Sequence, residues 1–466
     1  MAIQTPVAPQ KGGSPANGPE KSGPARRIFT WIAGILCFGL LLSMVFIIAH
    51  QMAFPPPASR LVLVQDVPLP SGLGPGNPKN PLAPGIEAQF DAFDFQAYDA
   101  ATHRLFIAHT GPGPDLLKQA HIPFDPHYDG QMLVFDTRQD KLIARIPLTQ
   151  VSGVVDAPDL HKIFAAGVDP NADGIDTIFA IDTTTLQFHA IHMMHNESPD
   201  AMTYDSVEHR IFISDPAAPP NITGPQNPDR HLMNVTVIDA ISEQIITRIN
   251  FGFLPLFGGE KAPTNPANIP AYGHDVGHSG YDPTLGHVYV ASQILPNADS
   301  PNAYILPPPH TGEFVAINAS TMKIDQRIVL PAYCSTPHGV AVDAQQHVAF
   351  IACTDFDQAA GLFTNLIGVN LRTMRVIPVD PNTMRLTGGP DIVRIDYSLH
   401  LVFVACAGGV AIFDEKAGEF HRLGVYDVGK QTHTIAINEQ TQEMYFPMDI
   451  GGHPVLRIVR YNPNGE

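Results

Sequence analysis

A seven-bladed β-propeller is the fold class that this sequence predicts, and three observations predict it. A unit of four short alternating segments recurs along the chain, and its cleanest copy runs from Ser335 to Pro378. Seven copies align on the residue that ends the first segment, namely Asp99, Asp156, Asp205, Asp282, Asp343, Asp396 and Asn438. Charged residues are sparse at 15%, while 45 prolines and 38 glycines supply many turns and few long helices. Four antiparallel strands joined by turns make one propeller blade, and a recurring unit is read first as a repeat architecture.

In the cleanest copy, Thr336, Pro337, His338 and Gly339 open a first strand that ends at Asp343. After a polar turn, His347 to Cys353 forms the second strand, Leu366 to Asn370 the third and Arg375 to Pro378 the fourth. The second strands read HRLFIAH, HKIFAAG, HRIFISD, GHVYVAS, HVAFIAC, HLVFVAC and EMYFPMD, rich in the residues that favour a half-buried pleat. Most are followed by a third strand running into Asp or Asn, such as LVFDT, FAIDT, TVIDA and IGVNL. This pattern resembles the YVTN-type (YncE-like) seven-bladed β-propeller family, over about residues 60 to 461. The resemblance implies a binding or scaffolding role with no agreed reaction, because propellers host many unrelated functions.

The two ends of the repeat region complete each other. The last copy stops after three strands, while Arg60 to Pro70 (RLVLVQDVPLP) stands alone as an outer strand. We therefore expect the N-terminal strand to supply the fourth strand of blade 7, which hides two open sheet edges. Turns between first and second strands, and between third and fourth, are short. Long segments fall at 110–130, 215–233, 251–276, 293–312 and 354–364. In an up-and-down blade all of these emerge on one face, which becomes the candidate functional face; drift in tolerant loops would give the same lengths.

Ahead of the propeller, residues 1–25 have the composition of a disordered cytoplasmic segment. Ile28 to Ala49 is an uncharged apolar run long enough to cross a bilayer, so 26–52 reads as a single-pass transmembrane signal anchor. Lys11, Lys21, Arg26 and Arg27 precede it, which places the N-terminus in the cytoplasm and the propeller in the periplasm or outside the cell. Residues 53–59 form a Pro-rich spacer. The rival reading, a cleaved signal peptide, lacks a clean small-x-small site. The net charge of −18 argues against a nucleic-acid partner. The partners expected are the membrane, through the N-terminal helix, and a small molecule or envelope protein. Outside the apolar run the cysteines are Cys334, Cys353 and Cys406, which allows one internal disulfide and leaves one thiol over.

The first strands should line the central channel. Their lead positions, five residues before the terminal Asp or Asn, hold Asp94, Val151, Asp200, Gly277, His338, Asp391 and His433. His278 takes the fourth place if a bulge is present. Partners fifteen residues on are His109, Ala166, Asp215, Ser292, Cys353, Cys406 and Met448. Asp94, His109, Asp200, His278, His338, Asp391 and His433 are thus candidates for a ligand-binding pocket at the channel mouth, with histidines as bases or ligands and aspartates as ligands or orienting groups. His338, Cys353, Cys406, His433 and Met448 are soft enough together for copper. The same residues would equally serve as strand caps that bond backbone between blades.

Two further clusters stand out. Asp169, Asn171, Asp173 and Asp176 follow the start of a calcium loop with Gly174 at its turn, although position twelve is Ala180 rather than Glu. His274, Asp275 and His278 form the densest His/Asp cluster, and a zinc site there would need another ligand from elsewhere. Two functions therefore stand against each other. One is a membrane-anchored extracytoplasmic propeller that binds a ligand or partner on its loop-rich face. The other is a metal-dependent propeller enzyme, a lactonase, hydrolase or oxidoreductase, with its site at the channel mouth. Convergence of three or more of the mouth residues on one point favours the second.

Overall fold

The computed structural model describes residues 59–72, 93–111, 125, 127, 129–193, 199–215, 234–251, 272–296, 312–354, 364–416, 419–429, 432–450 and 453–465. The expected membrane anchor lies outside them; among the described residues no helix is long and apolar enough to cross a membrane. Residues 60–463 form one compact unit of seven four-stranded antiparallel sheets, one per repeat. Six sheets are sequential, running from inner to outer strand. In the seventh, Leu61–Pro68 is the outer strand and pairs with Pro454–Tyr461, Leu61 opposite Tyr461 and Pro68 opposite Val455. Asp66 takes a two-pronged ion pair from Arg457, at 2.8 and 2.7 Å. The first and last strands of the unit thus close the ring.

Each repeat builds its blade from the same local chemistry. The terminal Asp of the inner strand caps the following turn. Asp205 accepts from the N–H groups of Val207 and Glu208, and Asp343 from those of Gln345 and Gln346. The turn then needs a left-handed residue, and His103, His209, Gly286, His347, His400 and Gln442 take it. Seven residues after the capping Asp or Asn, within the next strand, comes a buried aromatic ring, as at Phe106, Phe212, Tyr289, Phe350, Phe403 and Tyr445. In blade 2 the short helical turn Pro158–Leu160 shifts this ring by one, to Phe164. Truncating such a ring to Ala costs about 3–5 kcal/mol.

Two expectations need correction. The hairpin Tyr272–Asp282 with His287–Pro296 runs further than expected, Tyr272 pairing with Pro296, so parts of 251–276 and 293–312 are strand. The fifteen-residue partnering is also displaced. Phe93, not Asp94, pairs with His109; Pro337, not His338, pairs with Cys353; Pro390, not Asp391, pairs with Cys406. In each of these strands the register slips by one immediately afterwards, the mark of a β-bulge. A matching slip lies between Val276 and Ser279 and contains Gly277 and His278. The bulge takes the lead residue out of the ladder and re-aims its side chain.

Candidate functional site

The re-aimed side chains meet at one end of the channel. Asp391, on the inner strand of blade 6 and 4% exposed, is the hub. Its Oδ1 faces Nε2 of His338 at 3.0 Å and Nε2 of His278 at 3.4 Å. Its Oδ2 meets Nε2 of His433 at 2.6 Å. Ligand atoms of His278, His338 and Asp391 form one group within 4.8 Å of each other, and those of Asp94, Asp391 and His433 form a second. Five blades therefore contribute to one cluster. Close contact between blades holds it: a Cβ on Gly339 would stand 1.8 Å from the carbonyl oxygen of Asp391, so only glycine lets the two strands approach this closely.

Electrostatics divide the cluster into two halves. Burial alone would raise the pKa of Asp391, but its contacts with His338 and His433 more than offset that and hold it far below the usual carboxylate range. His278 is pushed down to about 3, first by burial and then by His338, so its ring is neutral and its nitrogen is free to ligate. Its ring packs against those of His338 and Phe95, at centroid distances of 4.5 and 4.9 Å. His433 behaves oppositely. Burial lowers its pKa, but Asp391, Asp94 and Asp200 outweigh this and raise it to about 9, so it is an imidazolium at neutral pH. Asp94 is raised well above the carboxylate range, by burial first and then by the charges of Asp200 and Asp391. One half thus sets a neutral His278 imidazole beside an ionised Asp391, and the other holds a proton on His433.

Asp391 Oδ1 is buried and accepts no hydrogen bond, although two imidazole nitrogens lie close to it. Donor separations of 3.0 and 3.4 Å match those between neighbouring ligands on an ion with bonds of about 2.0–2.2 Å.

The remaining candidates fall elsewhere. His109 is buried within blade 1, its ring stacked on Phe93 at 4.2 Å, outside both groups. Asp200 acts on the mouth through its charge, while its backbone N–H donates to Ser214 at 3.0 Å. The copper set does not assemble: Cys353 is bonded to Cys334, and the buried thiol of Cys406 is pushed up to about 12 by burial. Asp169 caps a short turn by accepting from the Asn171 N–H and pairs with His192 at 2.9 Å; Asp173 takes the left-handed position after that turn. Asp169, Asp173 and Asp176 are not among the carboxylates that gather within metal-binding distance. The side chains of His274 and Asp275 lie outside those described.

Sequence reasoning overlooked Arg394. Two residues before the terminal Asp or Asn, the copies hold Ala97, Val154, Thr203, Gly280, Ala341, Arg394 and Ala436. One long cation in a column of small residues was the signal that could have found it.

Comparison with solved structures finds the same architecture. The chain is similar to a Kuenenia stuttgartiensis hydrazine synthase structure at 10% identity, with a TM-score of 0.54, covering 79% of this chain and 96% of that one. It is also similar to the WD40 repeats of RRP9 at 8% identity, with a TM-score of 0.50, covering 87% of this chain and 99% of that one. No family profile matches the chain and no curated protein does. At such identities the likeness shows the β-propeller fold alone, and the chemistry has to be argued from the site.

Proposed function

We propose that this is a membrane-anchored, extracytoplasmic propeller enzyme that holds a divalent first-row ion of the zinc type at its channel mouth and hydrolyses a small ester or lactone there. The convergence of His278, His338 and Asp391, their ligand atoms within 4.8 Å of one another, carries the reading. Two histidines and one carboxylate form a ligand set that leaves coordination positions open. The ion would polarise a carbonyl oxygen and acidify water. His433, with its side chain 52% exposed and charged at neutral pH, stands on the other oxygen of Asp391 and can give a proton to a leaving group. Asp391, and beyond it Asp200, hold that proton in place through their charge.

The uncharged run Ile28 to Ala49 behind four basic residues supports the anchor. The Cys334–Cys353 disulfide supports an oxidising compartment. The YncE-like repeat pattern supports the extracytoplasmic family reading, with a departure toward chemistry at the mouth.

Elemental analysis of protein purified without chelator tests the reading. We expect about one zinc-type ion per chain, lost in His338→Ala and in Asp391→Asn. Protein that carries no ion, and takes none up from zinc, manganese or ferrous iron solutions, sinks the enzyme. It would return the mouth to the simpler role of a polar ligand-binding ring.

A further inference from the structure

Below the mouth cluster the channel widens into a cavity of about 760 Å³, lined by the inner strands of all seven blades. His278 stands at its inner end, and turn residues such as Ser206, Pro283 and Glu439 reach its other end. The cavity therefore opens toward the face of short turns, away from the mouth. Its size lies within the range of about 300–1,000 Å³ for small-molecule sites.

Arg394 lies along this cavity. Its neighbours at the same level of the ring are Ala, Val, Thr and Gly, so nothing else fills the lumen there. The guanidinium donates to the carbonyl of Val393 at 3.1 Å and, across the intervening blade 7, to that of Gln96 at 3.4 Å. Among the described residues it makes no ion pair. A guanidinium has five donors in a planar fork; here the Asp391 carboxylate acts on it only through charge, without an ion pair, and the donors turned to the cavity are left to a ligand. Burial brings its pKa down to about 10, so it remains a cation at neutral pH. Asp156, on the cavity wall, does not answer it: burial, then Asp99 and Asp159, push that carboxyl up to about 8. Aromatic side chains make up much of the rest, with Phe95, Tyr98, Tyr204, Tyr281 and Tyr397 on the wall.

We infer that this cavity is a second ligand site, which takes a small carboxylate with a flat apolar body, the carboxylate on Arg394 and the body among the tyrosines. Carboxylate and guanidinium match fork to fork, the strongest form of this contact. The site opens on the opposite end of the channel from the cluster and does not depend on an ion being held there.

Calorimetric titration of the purified full-length chain with benzoate and with benzamide tests the inference. The two probes share shape and ring and differ in charge. We expect benzoate to bind one per chain, at least tenfold tighter than benzamide. Arg394→Met should bring benzoate down to the level of benzamide, and Arg394→Lys should keep part of the difference. Equal binding of the two probes, absence of benzoate binding, or benzoate binding untouched by Arg394→Met overturns the site. The comparison of probes in the unaltered protein stands even if Arg394→Met does not fold. Benzoate binding that vanishes after chelation would place the carboxylate on the mouth ion and also overturn the inference. Binding that survives chelation, in protein whose elemental analysis shows no ion, would leave this site standing while the enzyme reading fell.

Discussion

Replacing Asp391 by Asn should remove the hub of the mouth and take away the carboxylate that pairs with the charged His433. At 2.6 Å, and with an effective dielectric constant near 20, the attraction between His433 and Asp391 is roughly 6 kcal/mol before screening. Half of the His433 side chain faces solvent, which reduces this strongly. In the variant His433 can also discharge itself by losing its proton. We therefore expect Asp391→Asn to cost about 1–3 kcal/mol at neutral pH, less than the roughly 3–5 kcal/mol of a broken, fully buried pair. The pH dependence gives the sharper test. His433 has a folded pKa raised to about 9 from 6.5, so its contribution is complete below pH 6.5 and is lost as pH rises through 9. Asp391 is depressed, so its contribution is present above its ordinary value of 3.8 and is lost only as pH falls further. The stability gap between the two proteins should be widest near pH 5–6 and nearly closed at pH 10. Urea unfolding of ion-free protein at both pH values measures it, and nitrogen NMR of the His433 ring should show its pKa falling below about 7 in the variant. An equal gap at both pH values, or a His433 that titrates below 7 in the unaltered protein, refutes the reasoning.

Gly339→Ala would place a Cβ 1.8 Å from the carbonyl of Asp391, where backbone cannot yield without parting blades 5 and 6. It should cost about 1–3 kcal/mol or more and lower the ion content with it; a variant with unchanged melting and full ion content would show that the blades are not held this tightly. Deleting residues 60–70 removes the outer strand of blade 7, its seven paired positions and the Asp66–Arg457 pair. The exposed edge at Pro454–Tyr461 should bring aggregation and loss of cooperative melting; an undisturbed cooperative transition in the truncated chain would mean that the ring closes without it.

The blades were legible because each rests on local chemistry that repeats. A capping Asp, a left-handed residue four places later and an aromatic ring three places after that dictate strand, turn and strand wherever they recur. The closing strand was legible too, since a three-stranded last copy and a lone first strand leave only one pairing that hides both edges. The mouth was half legible. Counting back from Asp343, Asp396 and Asn438 reached His338, Asp391 and His433, but the partners assigned to His338 and Asp391 were one residue off. A bulge adds no letter to the alphabet of a strand. It is a backbone choice made where neighbouring blades crowd together, as Gly339 shows against Asp391.

Which residues meet was decided only in three dimensions. His109 occupies a lead strand's neighbouring position as plausibly as any other histidine, yet it stacks inside its blade on Phe93. His278 stands one residue past the lead position of its copy, and only the bulge between Val276 and Ser279 brings it to the carboxylate of Asp391. The pairing of Cys334 with Cys353, which leaves Cys406 as a buried thiol, likewise follows from which strand ends lie side by side. Arg394 was visible as one cation in a column of small residues, but its consequence, a charged cavity beneath the mouth, depends on seven strands closing around it. The sequence by itself determined the period, the number of blades and the strand that closes them, because those follow from contacts a few residues apart. Only the tertiary structure decided the site, because ring curvature brings together side chains from residues 94 to 433, and no local rule connects them.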